Sequence, residues 1–229
     1  MLTAIALAPS APVLVPELAG RAAAEVADLR AAAIAAAAAL PNRWIAVGVG
    51  PADQNLSRLC GTFAGYGVDV PVALCPPPCP DFAALPLCAL VAGWLRGQAN
   101  ADAVVTVHVH AADLDVETSL SRGRALRAEV GRNGEPVGVL IVADGARTLT
   151  PAAPGGYEPE SVVVQQVLDD ALDAADPAAL TGLASGVVGR VAYQVLAGLA
   201  GTGNWSASGM RRCAPFGVGY CAGLWKPAE

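Results

Sequence analysis

Histidine and positive charge are both scarce in this 229-residue chain, which has two His, and 14 Lys and Arg against 20 Asp and Glu. The net charge of −6 and an isoelectric point near 4.9 leave no cluster of cations for nucleic acid or an anionic membrane surface to meet. Long apolar runs are missing as well. The chain is 54% hydrophobic, yet its longest unbroken apolar stretch, Ala31 to Leu40, is far short of a bilayer span. No membrane segment is expected. The opening MLTAIALAPSA lacks the positive charges that precede the core of a secretory signal, so it reads as a first strand. Several catalytic motifs are absent too: Gly-x-Ser-x-Gly, the Walker loop, His-Glu-x-x-His and Gly-x-Gly-x-x-Gly. Gly48-Val49-Gly50 follows a strand but lacks the third glycine, which argues against a dinucleotide site.

Six cysteines are present: Cys60, Cys75, Cys79, Cys88, Cys213 and Cys221. Without an export signal they read as buried thiols rather than a disulfide framework, and the cytoplasm is the expected compartment. The close pair Cys75 and Cys79 brackets three prolines that impose an extended backbone. Zinc there would need two further ligands, and no second pair with metal spacing appears.

Short valine-rich runs, bounded by Gly, Pro, Asn or Asp, alternate with longer segments of helical character. Strands are expected at Leu2 to Ala8, Trp44 to Val49, Val68 to Leu74, Ala103 to Val109 and Val137 to Ala143. Helices are expected at Gly20 to Leu40, Asp53 to Ala64, Ala84 to Gly97 and Thr118 to Arg132, each long enough to cross a sheet. The last third reads as helix over Ser161 to Asp173 and Pro177 to Gly201, then a glycine-rich connection and a final strand, Gly217 to Leu224. The alanine tract at 31 to 39 fits a helix, alanine being the best helix former. This order implies a single α/β domain over residues 1–229, with a mostly parallel central sheet and helices on both faces.

The two histidines, His108 and His110, fall in AVVTVHVH, where a period of two puts them on one face. With Asp113 or Asp115 nearby they could hold a metal; the alternative is a pair of exposed or hydrogen-bonded histidines at a strand's end.

Three separated segments resemble one family. APSAPVLVPELAG (residues 8 to 20) is similar to an opening strand and loop that runs Pro-His-Pro-Pro and then Pro-Glu-Leu. ADGARTLTPAAPGGYEP (143 to 159) is similar to Gly-Asp-Leu-Ser-His-Arg-Leu-Thr-Pro followed by Gly-Gly-Tyr. PFGVGYCAGLW (215 to 225) is similar to a closing strand reading Pro-Phe-Gly-Val-Gly-Tyr. Together they resemble the class III extradiol dioxygenase catalytic (B) subunits, typified by protocatechuate ring-cleaving enzymes, with the Memo proteins as distant relatives. The resemblance implies ferrous iron held by two His and one Glu at one end of the sheet, with a further His as acid/base.

Those residues have all changed here. The first His falls on Ser10, and the second strand ends Gly48-Val49-Gly50-Pro51 without an imidazole. The carboxylate segment Gly-Glu-Cys-Gly matches Gly186-Val187-Val188-Gly189, and the acid/base His aligns with Arg147, which cannot give up its proton near neutral pH.

The expectation is therefore a noncatalytic relative with no cofactor, binding a small polar or anionic ligand, or a protein partner, at the former cleft. Ser10, Asp53, Asp144 and Arg147 are the candidate ligand contacts, converging where open α/β folds place ligands, with Arg147 meeting the anion. Asp53 also reads as a helix N-cap. The alternative is a ring-cleaving oxidoreductase with Fe(II) at His108, His110 and Asp113. A third possibility is a structural subunit in a homo-oligomer or another assembly.

Overall fold

A computed structural model describes residues 1–77, 79, 81–132 and 134–228. Its main elements, in chain order, are β1 (Leu2–Ala8), α1 (Pro16–Ala19), α2 (Ala27–Ala38), β2 (Arg43–Gly50), β3 (Gln54–Ser57), β4 (Leu59–Thr62), β5 (Pro71–Ala73) and β6 (Asp81–Phe82). They continue with α3 (Leu87–Ala99), β7 (Val104–Ala111), α4 (Val116–Arg132), β8 (Val137–Val142), α5 (Glu160–Asp173), α6 (Arg190–Ala200), β9 (Trp205–Cys213) and β10 (Tyr220–Pro227).

Seven strands form one sheet in the order β3-β7-β2-β8-β1-β10-β9. The expected α/β class holds, but the sheet is mixed rather than mostly parallel. Its four central strands, β7, β2, β8 and β1, are parallel. β3 runs antiparallel to β7, and β10 and β9 add an antiparallel hairpin beside β1. The cause is connection length: parallel neighbours need a long crossover, whereas a short link returns the chain antiparallel. The link between β9 and β10 is short, and β9 occupies the stretch expected to be a glycine-rich connection.

The segment expected as a helix from Asp53 to Ala64 forms β3 and β4 instead. Arg58 between them adopts φ +55°, in the left-handed region, and so ends one strand and starts the other. β4 belongs to a separate three-stranded sheet, ordered β5-β4-β6. The strand expected at Val68 to Leu74 is thus present as β5, but outside the main sheet. Of the Cys-Pro-Pro-Pro-Cys run, Pro78 lies outside the described residues. All six cysteines are free, three of them buried.

Helices cover both faces of the main sheet, so every residue of β8 is buried. On one side α2 and α3 pack over Trp44, Leu140 and Val142; on the other α4, α5 and α6 pack over Ile45, Val139 and Ile141. The buried Arg96 guanidinium donates to the carbonyls of Ala103 (2.5 Å), Ala73 (3.4 Å) and Ala101, tying α3 to both sheets. Helices α4 and α6 meet glycine to backbone. A Cβ on Gly123 would lie 2.6 Å from the Leu199 nitrogen and 2.8 Å from the Gly198 Cα, and one on Gly198 would strike the Leu120 backbone.

At the far side of the sheet β9 carries Arg211 and Arg212, and its pairing with β10 shifts register between Ala222 and Leu224. No helix among the described residues is long and apolar enough to cross a membrane.

Candidate functional site

The C-terminal ends of the parallel strands carry two groups of polar side chains. The first lies beyond β1 and β8. Each strand enters its loop with the main chain still paired: the Ala143 N–H donates to the Ala8 carbonyl at 3.0 Å. The Asp144 carboxylate then accepts from the Ser10 N–H at 2.8 Å. The Asp144 carbonyl accepts from the Gly189 N–H at 2.8 Å, and the Gly145 carbonyl from the Val188 N–H at 3.0 Å, so the 186–189 segment closes over the same loop. From the closing hairpin, the Gly145 N–H donates to the Gly219 carbonyl at 2.8 Å and the Leu149 N–H to the Gly217 carbonyl at 3.0 Å.

Burial pushes the Asp144 carboxyl up to about 7, with the Ser10 hydrogen bond opposing the shift. The residue keeps a partly accessible surface, while its charged group lies in a dry setting. Nearby, burial and the Asp144 charge push the Tyr220 hydroxyl up to about 12. The buried Tyr193 hydroxyl donates to the Ala143 carbonyl at 3.0 Å. Gln165 accepts from the Ala146 N–H and donates to Asp169, both at 2.8 Å, which fixes the loop from beneath. Tyr220, Tyr193 and Gln165 were not legible as site residues, because the tyrosines lie in apolar segments that read as core and Gln165 in a mixed helical segment.

The positions matched to the family's iron ligands carry no iron-binding side chain. At the end of β2, a Cβ on Gly48 would strike Cys88 and lie 2.7 Å from its Sγ, and one on Gly50 would lie 2.6 Å from Val109 Cγ1, so a side chain at either would have to displace its neighbour. Val187 is buried and paired with Ala146, and Val188 projects outward. Neither is a donor. Arg147 is exposed, its carbonyl accepting from the Gly155 N–H at 3.3 Å.

The four expected ligand contacts divide. Ser10 and Asp144 meet and Arg147 follows on the same loop, whereas Asp53 belongs to a second group beyond β2 and β7. Nor is Asp53 a helix cap, since β3 follows it. Its carboxylate accepts from the Ala111 N–H and from Arg122 of α4, both at 2.9 Å. Arg122, not anticipated, shares a helical face with Ala125 and Glu129 at the spacing of one turn.

His108 and His110 lie on the α4 side of β7, as their parity requires, and line a cavity of about 340 Å³ with Asp53, Asn55, Arg122 and Glu129. His108 is half-buried and His110 buried. His110 is only 7% exposed, and both its ring nitrogens, like His108 Nε2, are buried without a hydrogen-bond partner among the described residues. Desolvation lowers the pKa of both imidazoles, the carboxylates of Glu129 and Asp53 opposing the shift at His108 and His110 respectively. Asp113 is exposed in the turn after β7, outside the cavity lining. Among the described residues, no three His, Cys, Asp or Glu side chains form a metal-holding group.

The Asp53–Arg122 ion pair is roughly half exposed on both partners. Arg122→Ala is expected to cost no more than about 1 kcal/mol. Urea denaturation would check this, with a much larger loss contradicting it.

No family model matches the chain, and no curated protein matches it. Among solved structures it is similar to the uncharacterized protein JW3007 from Escherichia coli K12, with a TM-score of 0.52, 10% sequence identity, and coverage of 98% of this chain and 99% of that one. At that identity the likeness speaks to the fold alone, end to end.

Proposed function

We propose that this chain is a noncatalytic relative of the class III extradiol dioxygenase catalytic subunits, binding a small polar molecule beside Asp144 rather than cleaving one with iron. The observation that carries the reading is the meeting of the three resembling segments. Residues 8–20, 143–159 and 215–225 are far apart in sequence, yet they are joined around Asp144 by the bonds Ala143 to Ala8, Ser10 to Asp144 and Gly145 to Gly219. The segment matched to the carboxylate ligand, with Val187 and Val188, closes over the same loop.

Ser10, Arg147 and the two valines belong to the segments that meet at this loop, and none of them is a ligand for ferrous iron. What the spot offers instead is a carboxyl raised to about 7, which near neutral pH exchanges between donor and acceptor. A hydroxyl-bearing molecule suits such a group. Arg147, three residues on, supplies positive charge for an anionic substituent.

Calorimetric titration of iron-free protein with catechol and with protocatechuate tests this. Catechol should bind, and Asp144→Ala should weaken it about tenfold or more, the scale of a lost hydrogen bond to a charged group. Protocatechuate should bind more tightly than catechol, by a margin that Arg147→Ala removes. Adding ferrous iron and oxygen should yield no ring-opened product by absorbance. Ring opening, or catechol binding untouched in Asp144→Ala, would sink the proposal.

A further inference from the structure

The cavity between β7 and α4 is separate from the Asp144 loop: β7 and β8 flank β2 on either side, two strand spacings or roughly 10 Å apart. It contains both histidines of the chain, and their arrangement asks for an occupant. A buried polar atom without a partner costs on the order of 1–3 kcal/mol, and here three such atoms, His108 Nε2 and both ring nitrogens of His110, border one polar space. We propose that His108 and His110 form a two-imidazole site for a transition-metal ion of the Ni²⁺, Cu²⁺ and Zn²⁺ class.

The strand supplies the chelate. Residues i and i+2 project from one face, and both imidazoles line the cavity. Asp53 stands beside His110. Its carboxylate is fixed by the Ala111 N–H and by Arg122, and Oδ1 faces His110 Nδ1 at 4.0 Å. Closing that gap on metal binding would hold the ring proton on Nδ1 and leave the Nε2 lone pair for the metal, as outer carboxylates do for metal-bound imidazoles.

The charges around the rings decide the class of ion. Asp53 from the β2–β3 turn and Glu129 from α4 are balanced by Arg122 and Arg132, also of α4. The cavity therefore has no excess negative charge or oxygen cage for Mg²⁺ or Ca²⁺. Two nitrogen donors favour ions late in the first transition row. Since no third protein ligand stands in place among the described residues, water or a small exogenous molecule completes the coordination.

The test titrates the full-length chain with Ni²⁺ by calorimetry and with Co²⁺ by absorption. One equivalent should bind, with a large excess of Mg²⁺ having no effect. His108→Ala and His110→Ala should each weaken binding at least about tenfold, the double variant should abolish it, and Asp53→Asn should weaken it about tenfold. Circular dichroism checks that each variant folds, and His108→Asn with His110→Gln replaces the alanine pair if it does not. Equal binding by the folded double variant would overturn the proposal. So would thiolate charge-transfer bands with Co²⁺, which would move the ion to the cysteines. Failure of the parent to bind any of these ions would assign the open nitrogens to water. None of these outcomes touches catechol binding at Asp144, so the two readings stand or fall separately.

Discussion

Asp144→Asn should make the protein more stable than its parent at pH 8, by about 3 kcal/mol, and no more stable at pH 3. A carboxyl whose folded pKa is near 7, against about 3.9 in the unfolded chain, holds a proton in the native state that the unfolded state has already released. Across that interval the native state binds more protons, so stability falls as pH rises from about 4 to about 7 and stays low above. A full shift of about 3 units corresponds to roughly 4 kcal/mol, discounted here for the residue's partial contact with solvent. Asparagine keeps an oxygen for the Ser10 N–H and removes the buried charge. The difference between the two stability curves isolates this group, because Asp169, also raised by desolvation, contributes equally to both. Parallel curves in urea denaturation from pH 3 to 9 would contradict the account. A side chain that weakens its own fold at neutral pH is typical of a binding position.

The second large effect lies at the α4–α6 crossing. Gly123→Leu should cost about 3 kcal/mol or more, because a side chain there meets main chain that cannot rotate away, and the helices must separate. Gly123→Ala provides the calibration. In an open helix it would gain about 1 kcal/mol of helix propensity, so any net loss measures the crowding directly. A stabilised alanine variant would show that the helices are farther apart than described. Separating them would also disturb α4, and with it Arg122 and the wall of the histidine cavity.

The central strands were legible because burial leaves a mark: Val137 to Val142 is apolar without a break, β1 and β2 read similarly, and β7 alternates Val with Thr and His as its buried and half-buried faces alternate. Helices α3, α4 and α5 were legible from their length and spacing, whereas the expected helix from Pro177 to Gly201 is α-helical only over Arg190–Ala200 and that from Gly20 to Leu40 only over Ala27–Ala38. The outer strands were not. In β3, exposure alternates along Gln-Asn-Leu-Ser, and β9 has a mostly exposed face broken by Gly209 at φ +63°, so each looked like helix cap or loop. Their strand character comes from pairing with a neighbour, which no local window contains.

The site was legible by halves. Asp144, Ser10 and the histidines stood out as chemistry at strand ends. That Asp53 would join the histidines, through Arg122 sixty-nine residues away, depends on which strands become neighbours.

The two ends of the seven-strand sheet have a consequence for how the molecule behaves in a crowd. One end is only four residues long. The other pairs its guanidinium groups with a register slip, so an approaching chain finds neither a long template nor a flat one. Short length at one margin, and a slipped register with charged residues at the other, are features that disfavour edge-to-edge strand pairing.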